Sequence, residues 1–228
     1  MNTSIATNAE KKIARFNAEG LHYNLVTNEI YKKHSYIDDP FDRSFLEYII
    51  AGLIVFDLGP RMGSNKYDFD RGFASRLDSK LRETKKLLVP LMKLSLAQIA
   101  LQEHCDAMMT VYDTLAAKGP GALHEDQTKA FHVGATKILH FLNPQLFIIV
   151  DRHAARAFRM FGNIPFRDTT QPGYSAKRYF ECMEKVQVDI SAYGLYQFKA
   201  LEPDIPITRI YDKLTFVTGK YYGSGELF

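Results

Sequence analysis

Residues 124–159, HEDQTKAFHVGATKILHFLNPQLFIIVDRHAARAFR, hold the side chains whose types and spacing could do chemistry. Lys137 and Asp151 stand fourteen positions apart, and Arg152, His153, Arg156 and Arg159 follow the aspartate. A lysine amine attacks electrophilic carbon only when neutral, and partial burial or neighbouring cations favour that form. A carboxylate at the start of a helix stays ionised, because the dipole and the backbone N–H groups favour it. There it can stabilise a growing positive charge or move a proton. Arginines beside a helix N-terminus suit phosphate. Each residue also has a plainer reading. Lys137 can be a solvent-facing helix lysine and Asp151 only an N-cap. His140 and His153 fit surface or satisfied core positions. His104-Cys105 matches no metal spacing and reads as structural.

These side chains need helices to position them. A short helix is expected to end near Phe131, with a chain reversal at His132-Val133-Gly134. A second helix then starts at Ala135 and turns Ile138, Leu139, Phe141 and Leu142 to the core. Thr136, Lys137 and His140 are left near the other face. Asn143-Pro144 ends that helix, since the residue before a proline avoids the α region. Leu146 to Val150 forms an apolar connector, and Asp151 caps a third helix carrying the arginines. Two helices joined by a tight hairpin present backbone N–H groups that hold a phosphate without reading sequence.

The rest of the chain carries mostly helical signals. A helix over AEKKIARFNAEG follows a possible Asn8 cap and is expected to end at Gly20 in the left-handed conformation. Residues 21–37 stand open between helix and strand. From about Asp42 to Asp57 the sequence is apolar nearly all round, as in a buried central helix. LGPRMGSNKYDFD, residues 58–70, reads as a loop bearing Arg61, Asn65 and Lys66. Residues 70–118 predict about three helices broken near Pro90. Pro165 to Gly173 is a loop before a helix in YSAKRYFECMEKVQVDI, and Pro203 and Pro206 precede a last helix in ITRIYDKLTFVTG. Roughly eight to ten helices without alternating strand patterns make the class all-α.

At 228 residues, with 46% hydrophobic and 24% charged residues, the chain reads as one globular domain over 1–228. It has no apolar run long enough for a membrane span, and its start lacks a secretory signal core, so a cytoplasmic, nucleoid-associated location is expected. Cys105 and Cys182 stand alone, which predicts a reduced setting and no metal or cofactor. The net charge of +3 is unevenly spread. Residues 129–178 hold eight Lys or Arg and two acids, net +6, against −3 for the remainder. Such a patch suits a phosphate backbone; its plain alternative is a solvated helix face.

The segment resembles the helix-hairpin-helix DNA glycosylase superfamily, of the endonuclease III and 8-oxoguanine DNA glycosylase type. In that family a hairpin near Leu-Pro-Gly-Val-Gly precedes a helix starting with a catalytic lysine. A connector then leads to Val-Asp-x-His opening a helix. This chain has Val133-Gly134, Lys137, and Val150-Asp151-Arg152-His153 with Arg156. The tail RIYDKLTFVTGK is similar to C-terminal helices of bacterial proteins with the 8-oxoguanine glycosylase fold. It departs from the pattern where His132 replaces the first hairpin glycine, where Lys137 lies three rather than two residues after Gly134, and in its shorter lysine-to-aspartate helix.

The resemblance implies a two-lobed helical bundle with a cleft, and Lys137 and Asp151 as catalytic residues. It implies DNA contacts from His132, Gly134, Thr136, Arg152, His153 and Arg156, with Arg61 and Lys66 filling the hole left in the duplex. Base-pocket candidates are Phe161 and Phe216, with Phe166 and Tyr174 beside them. The implied partner is double-stranded DNA with an extruded nucleotide, bound by a monomer. The implied reaction is excision of an oxidised purine with strand nicking. The alternatives are a monofunctional glycosylase acting on a hypermodified base in foreign DNA, a non-catalytic DNA-binding module, and a helical scaffold without nucleic-acid affinity.

Overall fold

In the computed structural model, Asp151 opens a helix as its residue type predicts: its Oδ1 accepts from the Ala154 N–H at 2.8 Å. The structure describes residues 5–35, 39, 41–57, 72–123, 130–167 and 173–222. Among them are ten α-helices and one 3-10 turn, with no strand, so the protein is all-α. The helices are α1 (Ala9–Glu19), α2 (Leu21–Ser35), α3 (Arg43–Asp57), α4 (Phe73–Leu91), α5 (Cys105–Ala116), α6 (His132–Leu142), α7 (Arg152–Phe161), α8 (Ala176–Tyr193), α9 (Leu195–Leu201) and α10 (Ile207–Tyr221). The 3-10 turn, Leu101–His104, leads into α5.

Local chemistry accounts for several boundaries. Ser175 caps α8 by accepting from the Arg178 N–H at 3.2 Å. Gly194 ends that helix at φ +98°, a conformation that side chains with a Cβ rarely adopt. Pro90 lies in the last turn of α4, and the helix stops one residue later. α6 ends at Asn143, whose side chain donates to the carbonyls of Leu91 at 2.8 Å and Leu94 at 3.0 Å, tying that end to α4.

One apolar core runs through all ten helices, from Ile5 to Leu214. Its centre is α6, where every residue from Gly134 to Leu142 is buried beneath α2, α3 and α5. α10 lies along α7 and crosses α1. The α7–α10 approach is close because Gly219 has no side chain: a Cβ there would stand 2.7 Å from the carbonyl carbon of His153 and closer still to its oxygen.

Several expectations are corrected. His132-Val133-Gly134 is the first turn of α6, not a reversal before it. Gly134 is required because the Phe131 ring occupies the space a Cβ would take. The short helix expected before it falls largely on residues 124–129, outside the described residues. The buried central helix is α6 rather than α3, which turns Glu47, Tyr48 and Ala51 outward. Thr136, Lys137 and His140 are buried, so α6 has no solvent face on that side. Gly20 ends α1 at φ −105°, not in the left-handed region; it is small because the Phe16 ring packs against it. Asn8 holds the cap position of α1 without a side-chain cap bond. The open stretch 21–37 is helical through Ser35, and α9 has no counterpart in the sequence reading.

Gly219→Ala is expected to push α10 off α7 and cost about 2–3 kcal/mol, because the obstacle is backbone rather than a movable side chain. For a chain of this size that is a fall in Tm of roughly 5–10 °C, checked by thermal unfolding. An unchanged Tm would show that the two helices can separate freely.

Candidate functional site

Thr136, one residue before Lys137, fixes the path of the chain toward Asp151. Its Oγ1 donates to the Val133 carbonyl at 2.8 Å and accepts from the Val150 N–H at 3.2 Å. The connector Leu146–Val150 is wholly buried and is held at two further points. The Phe147 carbonyl accepts from His140 Nδ1 at 2.7 Å, and the Ile148 carbonyl accepts from the Tyr179 hydroxyl at 3.1 Å. Residue 150 is thereby strapped to residue 136, and the next residue of each segment is a site candidate.

Lys137 is only 5% exposed, with Nζ 4.9 Å from the centre of the Phe56 ring at the end of α3. It is not a solvent-facing helix lysine. Asp151 is half-buried at the start of α7. Both act on a third ionisable group, Asp212 of α10. Burial raises the Asp212 carboxyl to about 6; the Asp151 carboxylate pushes the same way, while Arg209 and Lys137 oppose them. Asp212 is ion-paired with Arg209, and the guanidinium carbon of Arg209 lies 5.8 Å from the centre of the same Phe56 ring. Lys137, Asp151, Asp212 and Arg209 therefore form one electrostatic group drawn from α6, α7 and α10.

A hydrogen-bonded network backs Arg209. Its Nη2 reaches Asn24 Oδ1 at 3.4 Å, and Asn24 donates to Asn17 Oδ1 at 2.9 Å. Lys213 Nζ donates to Asn17 at 2.9 Å and to both Glu202 oxygens at 2.6 and 2.8 Å. On the other side of α6, His140 is wholly buried and donates from Nδ1, so its Nε2 accepts from the Tyr31 hydroxyl at 2.5 Å. Burial, with Arg209 adding to it, holds this imidazole neutral down to about pH 3. His140 is a satisfied core histidine.

The remaining sequence candidates divide into two neighbourhoods. On α7, Arg152 and Arg156 are exposed, and Arg156 approaches the Gly219 carbonyl at 3.5 Å. His153 stands edge-on to Phe216 with ring centres 4.8 Å apart, and Phe216 meets Phe16 at 5.4 Å. Phe161 packs against Tyr222 at 6.1 Å. At the start of α6, the His132 ring lies 5.7 Å from Tyr174, and Tyr174 the same distance from Phe166. The Tyr112 hydroxyl meets His132 Nδ1 at 3.1 Å, and burial lowers the His132 imidazole against the pull of Asp113. Tyr174 belongs near the site, because the Asp151 charge adds to the effect of burial in raising its hydroxyl. Gly134 and Thr136 are buried within α6. Arg61, Asn65 and Lys66 lie outside the described residues.

Sequence reasoning passed over Asp212 and Arg209. The sequence hides them: Arg209, Asp212 and Lys213 share one face of α10 opposite Ile207, Ile210, Tyr211 and Leu214, the pattern of an ordinary amphipathic helix with a solvated charged side. Among the described residues there is no group of three or more metal-ligating side chains, and no helix is long and apolar enough to cross a membrane. No protein-family model, no curated protein and no solved structure matches this chain.

His140 and Asp212 give opposite pH dependences. The unfolded His140 binds a proton below about 6.5 that the folded protein refuses until about 3, so its contribution falls as pH drops through that window. The folded Asp212 binds a proton near 6 that the unfolded chain takes only near 3.8, so its contribution rises as pH drops between those values. In His140→Gln the first slope disappears. The stability lost relative to the parent is then largest at neutral pH, shrinking by up to ~1.4 kcal/mol per unit as pH falls below about 6.5. Urea midpoints at several pH values check this, and a difference independent of pH would refute a buried neutral His140.

Proposed function

We propose that this chain is a bifunctional DNA glycosylase/AP lyase in which Lys137 is the nucleophile and Asp151 its carboxylate partner, with an oxidised purine as the favoured base. The observation that carries the proposal is the near-complete burial of Lys137 within electrostatic reach of a carboxylate that Asp151 also influences. A lysine this buried is held among other charges, here Asp212 with Arg209, and clusters of buried charge are frequent where chemistry is done. The comparisons offer no relative, so the reading stands on these residues and on the Val-Asp-x-His resemblance.

The chemistry follows from the groups named. Extruding the nucleotide costs a few kcal/mol and brings its sugar to the protein. The neutral Lys137 amine forms a bond to C1′ as the bond from C1′ to the base breaks, the electron pair leaving with the base. Asp151 stabilises positive charge growing on the sugar and takes the proton that the amine sheds. Ring opening returns that proton to the ring oxygen and leaves an iminium at C1′. Loss of a C2′ proton then expels the 3′ phosphate and nicks the strand. Arg152 and Arg156, exposed on the first turns of α7, are the groups offered to flanking phosphates. In this reading the site of action is chromosomal or invading DNA.

Lys137→Gln is expected to abolish borohydride-trapped complexes with duplexes bearing 8-oxoguanine or an abasic site. Asp151→Asn is expected to slow trapping by roughly 10²-fold or more. Release of base without trapping or nicking would favour the monofunctional alternative. Binding without either would favour the non-catalytic module, and no salt-sensitive binding at all would leave only the scaffold. Full excision and nicking by both variants would show that the residue assignment is wrong.

A further inference from the structure

Two cations, Lys137 Nζ at 4.9 Å and the Arg209 guanidinium at 5.8 Å, stand against the single ring of Phe56. Both side chains are at least 95% buried. Two buried cations that share one aromatic neighbour need an anion nearby to offset the cost of taking both out of water. Asp212 supplies one. It is buried, ion-paired with Arg209, and within electrostatic reach of Lys137. Its position is set from behind, because Arg209 is held through Asn24, Asn17, Lys213 and Glu202, side chains from α1, α2, α10 and the end of α9. Replacing such a pair by apolar residues of similar volume is often neutral or stabilising, so stability alone does not account for it.

We propose that Asp212, anchored by Arg209, is a positioning residue for Lys137: its carboxylate offsets the two cations at Phe56 and orients the lysine amine toward Asp151. This deepens the glycosylase reading and rests on it. The charged and titratable groups around the pair are Lys137 and His140 of α6, Asp151 at the start of α7, Tyr31 of α2 and Lys213 of α10, each of which shares electrostatic interactions with Arg209 or Asp212, and Glu202, which reaches them through Lys213 and Tyr31. Asp212 acts on the reaction through Lys137 and does not touch DNA in this proposal.

The test uses the full-length chain and two readouts. The first needs no DNA: reductive methylation with formaldehyde and cyanoborohydride over a pH series, with Lys137 and the exposed Lys177 followed by peptide mass spectrometry. Removing a nearby negative charge lets the amine react at lower pH. Asp212→Asn is therefore expected to shift the pH profile of Lys137 modification to lower pH and leave that of Lys177 unmoved. Asp212→Glu, which keeps the charge, is expected to restore most of the parent profile. The second readout is borohydride trapping on an abasic-site duplex. Misoriented, the amine is expected to trap at least about tenfold more slowly at saturating DNA, with duplex affinity unchanged. Should Asp212→Asn fail to fold, Asn24→Ala loosens Arg209 from a distance and is expected to give a smaller shift of the same sign. If both folded variants superimpose on a parent that traps DNA, the positioning role is overturned and the glycosylase reading stands. If the parent traps nothing while Lys137 still responds to Asp212, the glycosylase reading falls and the coupling of the two residues is upheld.

Discussion

Charge carried into the interior by α10 is the constraint around which this helical fold is arranged. Arg209, Asp212 and Lys213 occupy a helix that is buried from Ile207 through Thr215, and an ion left without a partner there costs several kcal/mol. Partners must come from elsewhere in the chain. Asn17 of α1, Asn24 of α2 and Glu202 beyond α9 converge on the same helix, nearly two hundred residues away in the first two cases. The placement of the N-terminal hairpin of helices against the C-terminal helix thus satisfies hydrogen bonds as well as covering apolar surface. The edge of this junction is closed by Glu19, which accepts from Lys220 at 2.7 Å and from Tyr221 at 2.6 Å.

A second arrangement depends on the first. α7 can lie along α10 only because Gly219 admits the His153 backbone, and α7 begins where Asp151 caps it. Asp151 in turn is delivered by an extended connector whose backbone groups bond to side chains of α6 and α8: Thr136, His140 and Tyr179. Among the described residues no sheet supplies partners for that buried backbone, so polar side chains of the helices do so. One consequence is that residues 137 and 151, remote in sequence, cannot drift apart without breaking the Thr136–Val150 bond. Another is that α6 must bury polar residues on its second face, which is where the lysine sits.

The legible part of the fold was whatever local chemistry dictates. Asp151 reads as a cap because a short carboxylate before an alanine-rich helix has an N–H to accept from. Asn143-Pro144 reads as an ending because proline constrains the residue before it. α8 announces itself through an amphipathic period behind Ser175. The illegible part depends on distant partners. Apolar spacing in α6 marked one face as core, but nothing within eleven residues tells that Tyr31 of α2 and the connector would cover the other. α3 was misjudged for the converse reason: an apolar composition does not reveal that Tyr48 and Ala51 face outward. Gly134 looked like a hairpin glycine from its sequence context, whereas its smallness serves the Phe131 ring. The site was half visible. Lys137 and Asp151 stood out by type and register, while Asp212 was hidden by being one charge among several in a tail that reads as an ordinary helix.

The hidden carboxylate changes what the visible pair can do. With Lys137 and Asp151 alone, the site would hold one amine and one acid at a helix start. The amine would be free to swing, because a lysine stem carries about 2 kcal/mol of rotamer entropy. Burial against Phe56, with Asp212 nearby, restricts that stem. The same carboxyl, held near 6 by burial against the pull of Arg209 and Lys137, crosses between charged and neutral forms just below neutral pH. The field at the lysine therefore weakens as the medium acidifies through that value; Asp151, by contrast, is partly open to solvent and accepts from a backbone N–H. Two acids near one amine are thus unequal in their surroundings, Asp212 buried beside Arg209 and Asp151 partly open to solvent at a helix start.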